Sequence, residues 1–120
     1  MRELNKETIL KHYLFAALWT NELDDKNLDD ILPSSKTNSL KDIEDFLQKS
    51  AEFLPAYDEH FGNTSEEQLG HDFWLSRNGH GAGFFDRYID GFTEDKLQEI
   101  AGNFKERNVF VNELDHVLIE

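Results

Sequence analysis

At 120 residues the chain has room for one domain, spanning residues 1–120, and too few residues for two sizeable cores. Its lack of cysteine excludes disulfides, thiolate metal sites and cysteine nucleophiles, and suits a reducing cytoplasm. Twenty-five acidic against twelve basic residues give a formal charge of −13, which repels nucleic acid phosphates and anionic membranes and favours either a partner with a basic surface or plain solubility.

The N-terminal segment "MRELNKETILKHYLFAALW" interrupts its apolar residues with Lys6, Glu7, Lys11 and His12, so it contains no run long enough for a signal peptide or a membrane span. A soluble cytoplasmic protein is expected. Ile9, Leu10, Tyr13, Leu14, Ala17 and Leu18 recur at intervals of three and four, which predicts a first helix over 6–20. The next stretch, "TNELDDKNLDDILPSSKTNS", loses that period and reads as a long acidic loop with one short turn at Leu28 to Leu32. Asp24, Asp25, Asp29 and Asp30 are the oxygen donors a calcium loop would use. The alternating ligands and central glycine of such a loop are absent, so a solvated surface that meets a basic partner is the reading taken forward.

Ser39 precedes "LKDIEDFLQKSAEFL", and Leu40, Ile43, Phe46, Leu47, Phe53 and Leu54 predict a second helix capped by Ser39 and Asp42. Asp42, Glu44, Asp45, Lys49 and Glu52 form its polar face, and Pro55 ends or bends it. Thr64 or Ser65 followed by Glu66 and Glu67 starts a short helix that stops near Gly70.

"LSRNGHGAGFFDR", residues 75–87, then raises the question of a ligand cradle, a catalytic turn or a hairpin. Asn-Gly between residues of strand character signals a two-residue type I′ turn at Asn78 and Gly79. That register sets Arg77 against His80, Phe73 against Phe84 and His71 against Asp86, and lays the Trp74 indole over Gly83. It also separates His71 from His80 by about 20 Å, too far for two ligands of one metal ion. His71, Asp72, Asp86 and Arg87 remain as an alternative pocket for a small molecule or nucleotide, with Arg77 and His80 as nearby cationic groups. No dinucleotide fingerprint supports a phosphate cradle, because "FFDRYIDGF" is not clearly helical.

Thr93 with Glu94 and Asp95 caps a further helix over "KLQEIAGNF", and "NVFV" and "HVLIE" read as a second hairpin. The expected fold class is therefore α+β: a small antiparallel sheet of about four strands in two hairpins, packed with three or four helices. No catalytic residue, cofactor or metal is indicated.

"ALWT" at 17–20, the following "LDDIL", and above all "GHDFWLSRNGHGAGFFDR" at 70–87 resemble a family of small, largely uncharacterised proteins of bacteriophages, prophages and related mobile elements. The resemblance covers most of the chain. The family motif reads GHDFWLTRNGHGAGFWDR, so Ser76 and Phe85 depart from it. It implies an accessory phage protein of the kind that binds and inhibits host defences such as CRISPR nucleases or restriction enzymes. A non-enzymatic binder follows as the leading expectation, with Asp24, Asp25, Asp29, Asp30, Asp42 and Asp45 facing a host or phage protein and Arg77 with His80 as a second surface. Direct nucleic acid binding is not expected, and the oligomeric state is open.

Overall fold

The structure is a computed structural model that describes residues 2–79 and 83–120. Five α-helices carry the fold: α1 (Lys6–Thr20), α2 (Pro33–Lys49), α3 (Leu54–Phe61), α4 (Ser65–Arg77) and α5 (Phe92–Gly102). One antiparallel pair, β1 (Val109–Val111) and β2 (Val117–Ile119), closes the chain with Val109 opposite Ile119 and Val111 opposite Val117. Short 3₁₀ turns stand at Leu28–Asp30, Gly62–Thr64 and Phe84–Asp86.

The expected four-stranded sheet is thus corrected to a mainly helical fold with a single two-stranded hairpin among the described residues. The C-terminal hairpin forms where its β-branched runs predict it. The first hairpin does not exist: its leading strand is the second half of α4, and its returning strand is the turn at Phe84–Asp86. The tip residues 80–82, and with them the pairing of Arg77 with His80, lie outside the described residues. Asn78 and Gly79 form the end of a helix. Asn78 donates through its backbone N–H and its side-chain amide to the Trp74 carbonyl, at 3.2 and 2.8 Å, and Gly79 follows in the left-handed region at φ +68°. A helix stop and a type I′ turn both ask for positive φ on glycine, so the dipeptide alone does not distinguish them.

α4 runs straight through Gly70 because the helix needs a missing side chain there. A Cβ at residue 70 would stand 2.2 Å from the Ile9 carbonyl oxygen and 2.8 Å from the Tyr13 nitrogen, so glycine sets how closely α4 lies on α1. Along this contact the Tyr13 ring meets Trp74 edge-on at 5.2 Å, and the Trp74 indole N–H donates to the Thr20 hydroxyl at 2.8 Å. Trp74 therefore faces α1 and not Gly83. A Cβ at Gly83 would instead stand 2.4 Å from Ser76 Oγ and 3.0 Å from the Asp72 carbonyl oxygen, so its close approach is to α4.

The remaining helices complete an aromatic core. Phe46 of α2 stacks on Phe73 of α4 at 4.3 Å and on Phe84 at 5.6 Å, and Phe104 meets Phe73 edge-on at 5.1 Å. α2 begins six residues before its expected cap, with Pro33 in its first turn, where the missing N–H costs nothing. Ser35 and Ser39 fill the inward positions of that early segment, which hides it from an apolar-period reading. Ser35 Oγ accepts from the Ile119 N–H at 3.0 Å and the Leu32 N–H donates to the Val117 carbonyl at 2.9 Å, docking the hairpin on α2. Pro55 does not bend α2; it lies in the first turn of the separate helix α3. Among the described residues no helix is long and apolar enough to cross a membrane.

Gly70→Ala is expected to lower unfolding stability by about 1–3 kcal/mol, the usual size of overpacking, although alanine is the better helix former. Urea denaturation monitored by tryptophan fluorescence checks it, and a neutral or stabilising result contradicts the close α1–α4 contact.

Candidate functional site

Two carboxylates organise the interior, and both are held by arginines. Asp72 sits mid-way along α4 with no exposure to solvent. Arg87 grips it as a fork, Nε at 3.1 and 3.0 Å from the two oxygens and Nη2 at 2.7 Å from Oδ1. The Tyr57 hydroxyl donates to Oδ2 at 2.6 Å and the Gln68 amide to Oδ1 at 3.0 Å. Burial pushes the Asp72 carboxyl up, but His71, Arg87 and Tyr57 outweigh it and hold it below the usual carboxylate range. Geometry gives the Arg87 fork the main part, since His71 Nδ1 stands 3.7 Å from Oδ1, beyond hydrogen-bond reach. The same burial, with the carboxylate beside it, pushes the Tyr57 hydroxyl well above its ordinary value, so it remains a donor.

Arg77 forms the second centre. Its side chain, expected at an exposed hairpin tip, is buried at the C-terminal end of α4. It pairs with Asp42 at 2.8 Å, donates to the Tyr13 hydroxyl at 3.2 Å, and donates to the carbonyls of Lys105 and Phe104 at 2.8 and 2.9 Å. Its guanidinium also lies over the Phe73 and Phe104 rings, at 5.4 and 5.5 Å from their centroids. Arg107 shares the same Asp42 oxygen at 2.8 Å. Asp42 is consequently an internal counter-ion between two guanidiniums. Burial pushes the Tyr13 hydroxyl up to about 12, against the lowering effect of Arg77. A groove of about 490 Å³ opens beside this cluster, and Asp45 lines it while paired to Lys49 at 3.1 Å.

The alternative pocket is dispersed. Asp72 and Arg87 face each other, whereas Asp86 is exposed on its turn and makes no contact with His71. The His71 ring stacks on Trp19 at 5.9 Å and lines a cleft of about 510 Å³ with His12, Thr64, Glu67, Gln68 and Arg87. Its Nδ1 is buried without a hydrogen-bond partner among the described residues. Among the described residues no three His, Asp or Glu side chains converge as a metal cage requires. His80 lies outside the described residues.

The acidic loop keeps its charge at the surface. Asp24, Asp25 and Asp29 are exposed, and Asp30 turns inward to accept from the Asn27 N–H at 2.9 Å while Asn27 caps the turn through Asp29. Lys26 bridges to Asp115 at 2.6 Å and ties the loop to the turn of the C-terminal hairpin.

Tyr13, Tyr57 and Gln68 carry no periodic signal for their roles, and the ion-pair partners are 15 and 35 residues apart in sequence. The one hint was chemical: an acid and a base set within the aromatic runs "HDFWLSR" and "GFFDR" must be paired if those runs are buried. A scan against protein-family models, a search of curated proteins and a search of solved structures each found no match to the chain.

Arg87→Ala leaves Asp72 buried and uncompensated, and is expected to cost about 3–5 kcal/mol. Adding Asp72→Asn removes the stranded charge and should restore part of that loss. Chemical denaturation of the two variants reads the difference; a double variant no more stable than Arg87→Ala contradicts the pairing.

Proposed function

We propose that this chain is a non-enzymatic accessory protein of phage or mobile-element origin that acts in the host cytoplasm. It attaches to a host or phage protein bearing a basic surface and, by occupying that surface, inhibits a defence nuclease of the CRISPR or restriction type. The resemblance of residues 70–87 to the phage and prophage family supports the origin. The observation that supports the mode of action is the distribution of charge. All four arginines are engaged with carboxylates, namely Arg2 with Asp58 and Glu66, Arg77 and Arg107 with Asp42, and Arg87 with Asp72. Asp24, Asp25 and Asp29 stand exposed with no ion-pair partner among the described residues.

A field of that sign repels nucleic acid and attracts the groove that binds it, with no chemistry required. The nucleotide-pocket alternative has less support. Arg77 and Arg87, the cations that would hold a phosphate, already face the carboxylates of Asp42 and Asp72 through their hydrogen-bonding edges.

Neutralising the loop as Asp24→Asn, Asp25→Asn and Asp29→Asn together should slow association with a captured partner by about tenfold at low salt, while the wild-type rate falls steeply as salt rises. Surface plasmon resonance over a salt series measures both. A wild-type rate indifferent to salt, or an unaltered rate in the triple variant, contradicts the electrostatic mode.

A further inference from the structure

Apart from Arg87, residues 84–92, "FFDRYIDGF", take no part in the charge arguments, yet they carry three of the most exposed large aromatic side chains of the protein. Phe85 is 63% exposed, Tyr88 84% and Phe92 60%. Single exposed aromatics are ordinary on a soluble surface, but three within eight residues concentrate apolar exposure on one short segment.

The segment that carries them is fastened at several points between and beside them. Phe84 is fully buried against Phe46 and Tyr57, and its N–H donates to Ser76 Oγ at 3.1 Å. Arg87 is forked onto Asp72. Glu94 then reaches back from the first turn of α5 and accepts from the N–H groups of Ile89 and Asp90, at 2.7 and 2.9 Å, and of Gly91. Asp90 accepts from the Thr93 N–H at 2.6 Å and its hydroxyl at 2.8 Å. Between these fixed points Tyr88 is held at φ +55°, a region that side chains other than glycine rarely occupy. Two buried carboxylates, Asp72 through Arg87 and Glu94 directly, thus hold the segment and leave the Phe85 and Tyr88 rings in water, while the Phe92 ring, still 60% exposed, meets Phe53 edge-on at 5.8 Å. Rigid aromatic side chains displayed in this way lose little freedom on contact, which is the property of residues that dominate protein interfaces.

Charge selects the occupant. The aromatic faces carry the negative end of the ring quadrupole, exposed Asp86 and Asp95 stand beside them, and the molecule as a whole is strongly acidic. Within the chain itself the Lys96 ammonium already lies over the Phe92 ring, 5.7 Å from its centroid. A second copy of this chain brings −13 against −13. An anionic membrane is repelled in the same way. We propose that residues 85–92 form a pre-organised docking loop whose Phe85, Tyr88 and Phe92 rings receive arginine or lysine side chains from the basic surface of a partner protein. The inference rests on the reading of the chain as a binder of basic surfaces and names the contact that anchors it.

The test titrates isotope-labelled protein with a deca-arginine peptide and follows amide and aromatic shifts at low and moderate salt. The largest shifts are expected at residues 85–92, and Tyr88→Ala should weaken binding about tenfold at moderate salt, the size of one well-placed cation–π contact. Tyr88→Phe, which keeps the ring, should bind as the wild type does. Shifts confined to residues 22–30, with Tyr88→Ala unimpaired, would overturn the docking loop and leave the acidic-surface reading standing. Absence of binding to the wild type overturns both. Concentration-dependent shifts at 85–92 without peptide would replace the basic partner with a second copy.

Discussion

Asp72 and Arg77 lie on a helix that water hardly reaches, and the rest of the molecule is arranged around that fact. A buried charge without a partner is too costly to keep, so each one recruits a distant segment: Asp72 draws in Arg87 and Tyr57, and Arg77 draws in Asp42 and the chain just after α5. These contacts join α2, α3, α4 and the segments flanking α5 into one core, while Gly70 lets α1 close against the remaining side. Polar pairing and aromatic packing act together here, since the Arg77 guanidinium also covers the faces of Phe73 and Phe104.

The parts of the fold that were legible in the sequence are those with one wet face and one dry face. α1 and α5 bury apolar residues at helical spacing, and the final hairpin follows its β-branched runs. α4 was not legible because it is buried nearly all round, so its second half has no polar stripe to reveal a period, and its Asn-Gly terminus satisfies a hairpin rule equally well. The early turns of α2 were hidden for the opposite reason: their inward residues, Ser35 and Ser39, are polar. Of the candidate residues in the acidic loop, Asp24, Asp25 and Asp29 are exposed, whereas Asp30 turns back to the Asn27 N–H. Arg77, Asp42, Asp72 and Arg87 were singled out for their chemistry and turn out to neutralise one another, a pairing across sequence distance that no local pattern encodes.

The division of labour between interior and surface underlies the proposed function. Arg77 and Arg87 face inward onto carboxylates, and the surface, although it keeps several lysines, carries an excess of carboxylates and a group of exposed aromatic rings. On the proposed reading, the exposed carboxylates of the 22–30 loop would act over distance and set encounter, whereas the Phe85, Tyr88 and Phe92 rings would act on contact and set how long a complex lasts. Asp72 links the two levels, because the carboxylate that stabilises the core is also the one that fixes the base of the aromatic loop.

Backbone amide exchange and secondary chemical shifts across residues 65–77 test the central claim, a buried helix clamped by its own ion pairs, most directly. The account predicts helical shifts without a break at Gly70, with the Asp72 to Arg77 amides among the slowest to exchange in the protein. Extended shifts over 71–77, with cross-strand contacts between Phe73 and Phe84, would contradict it.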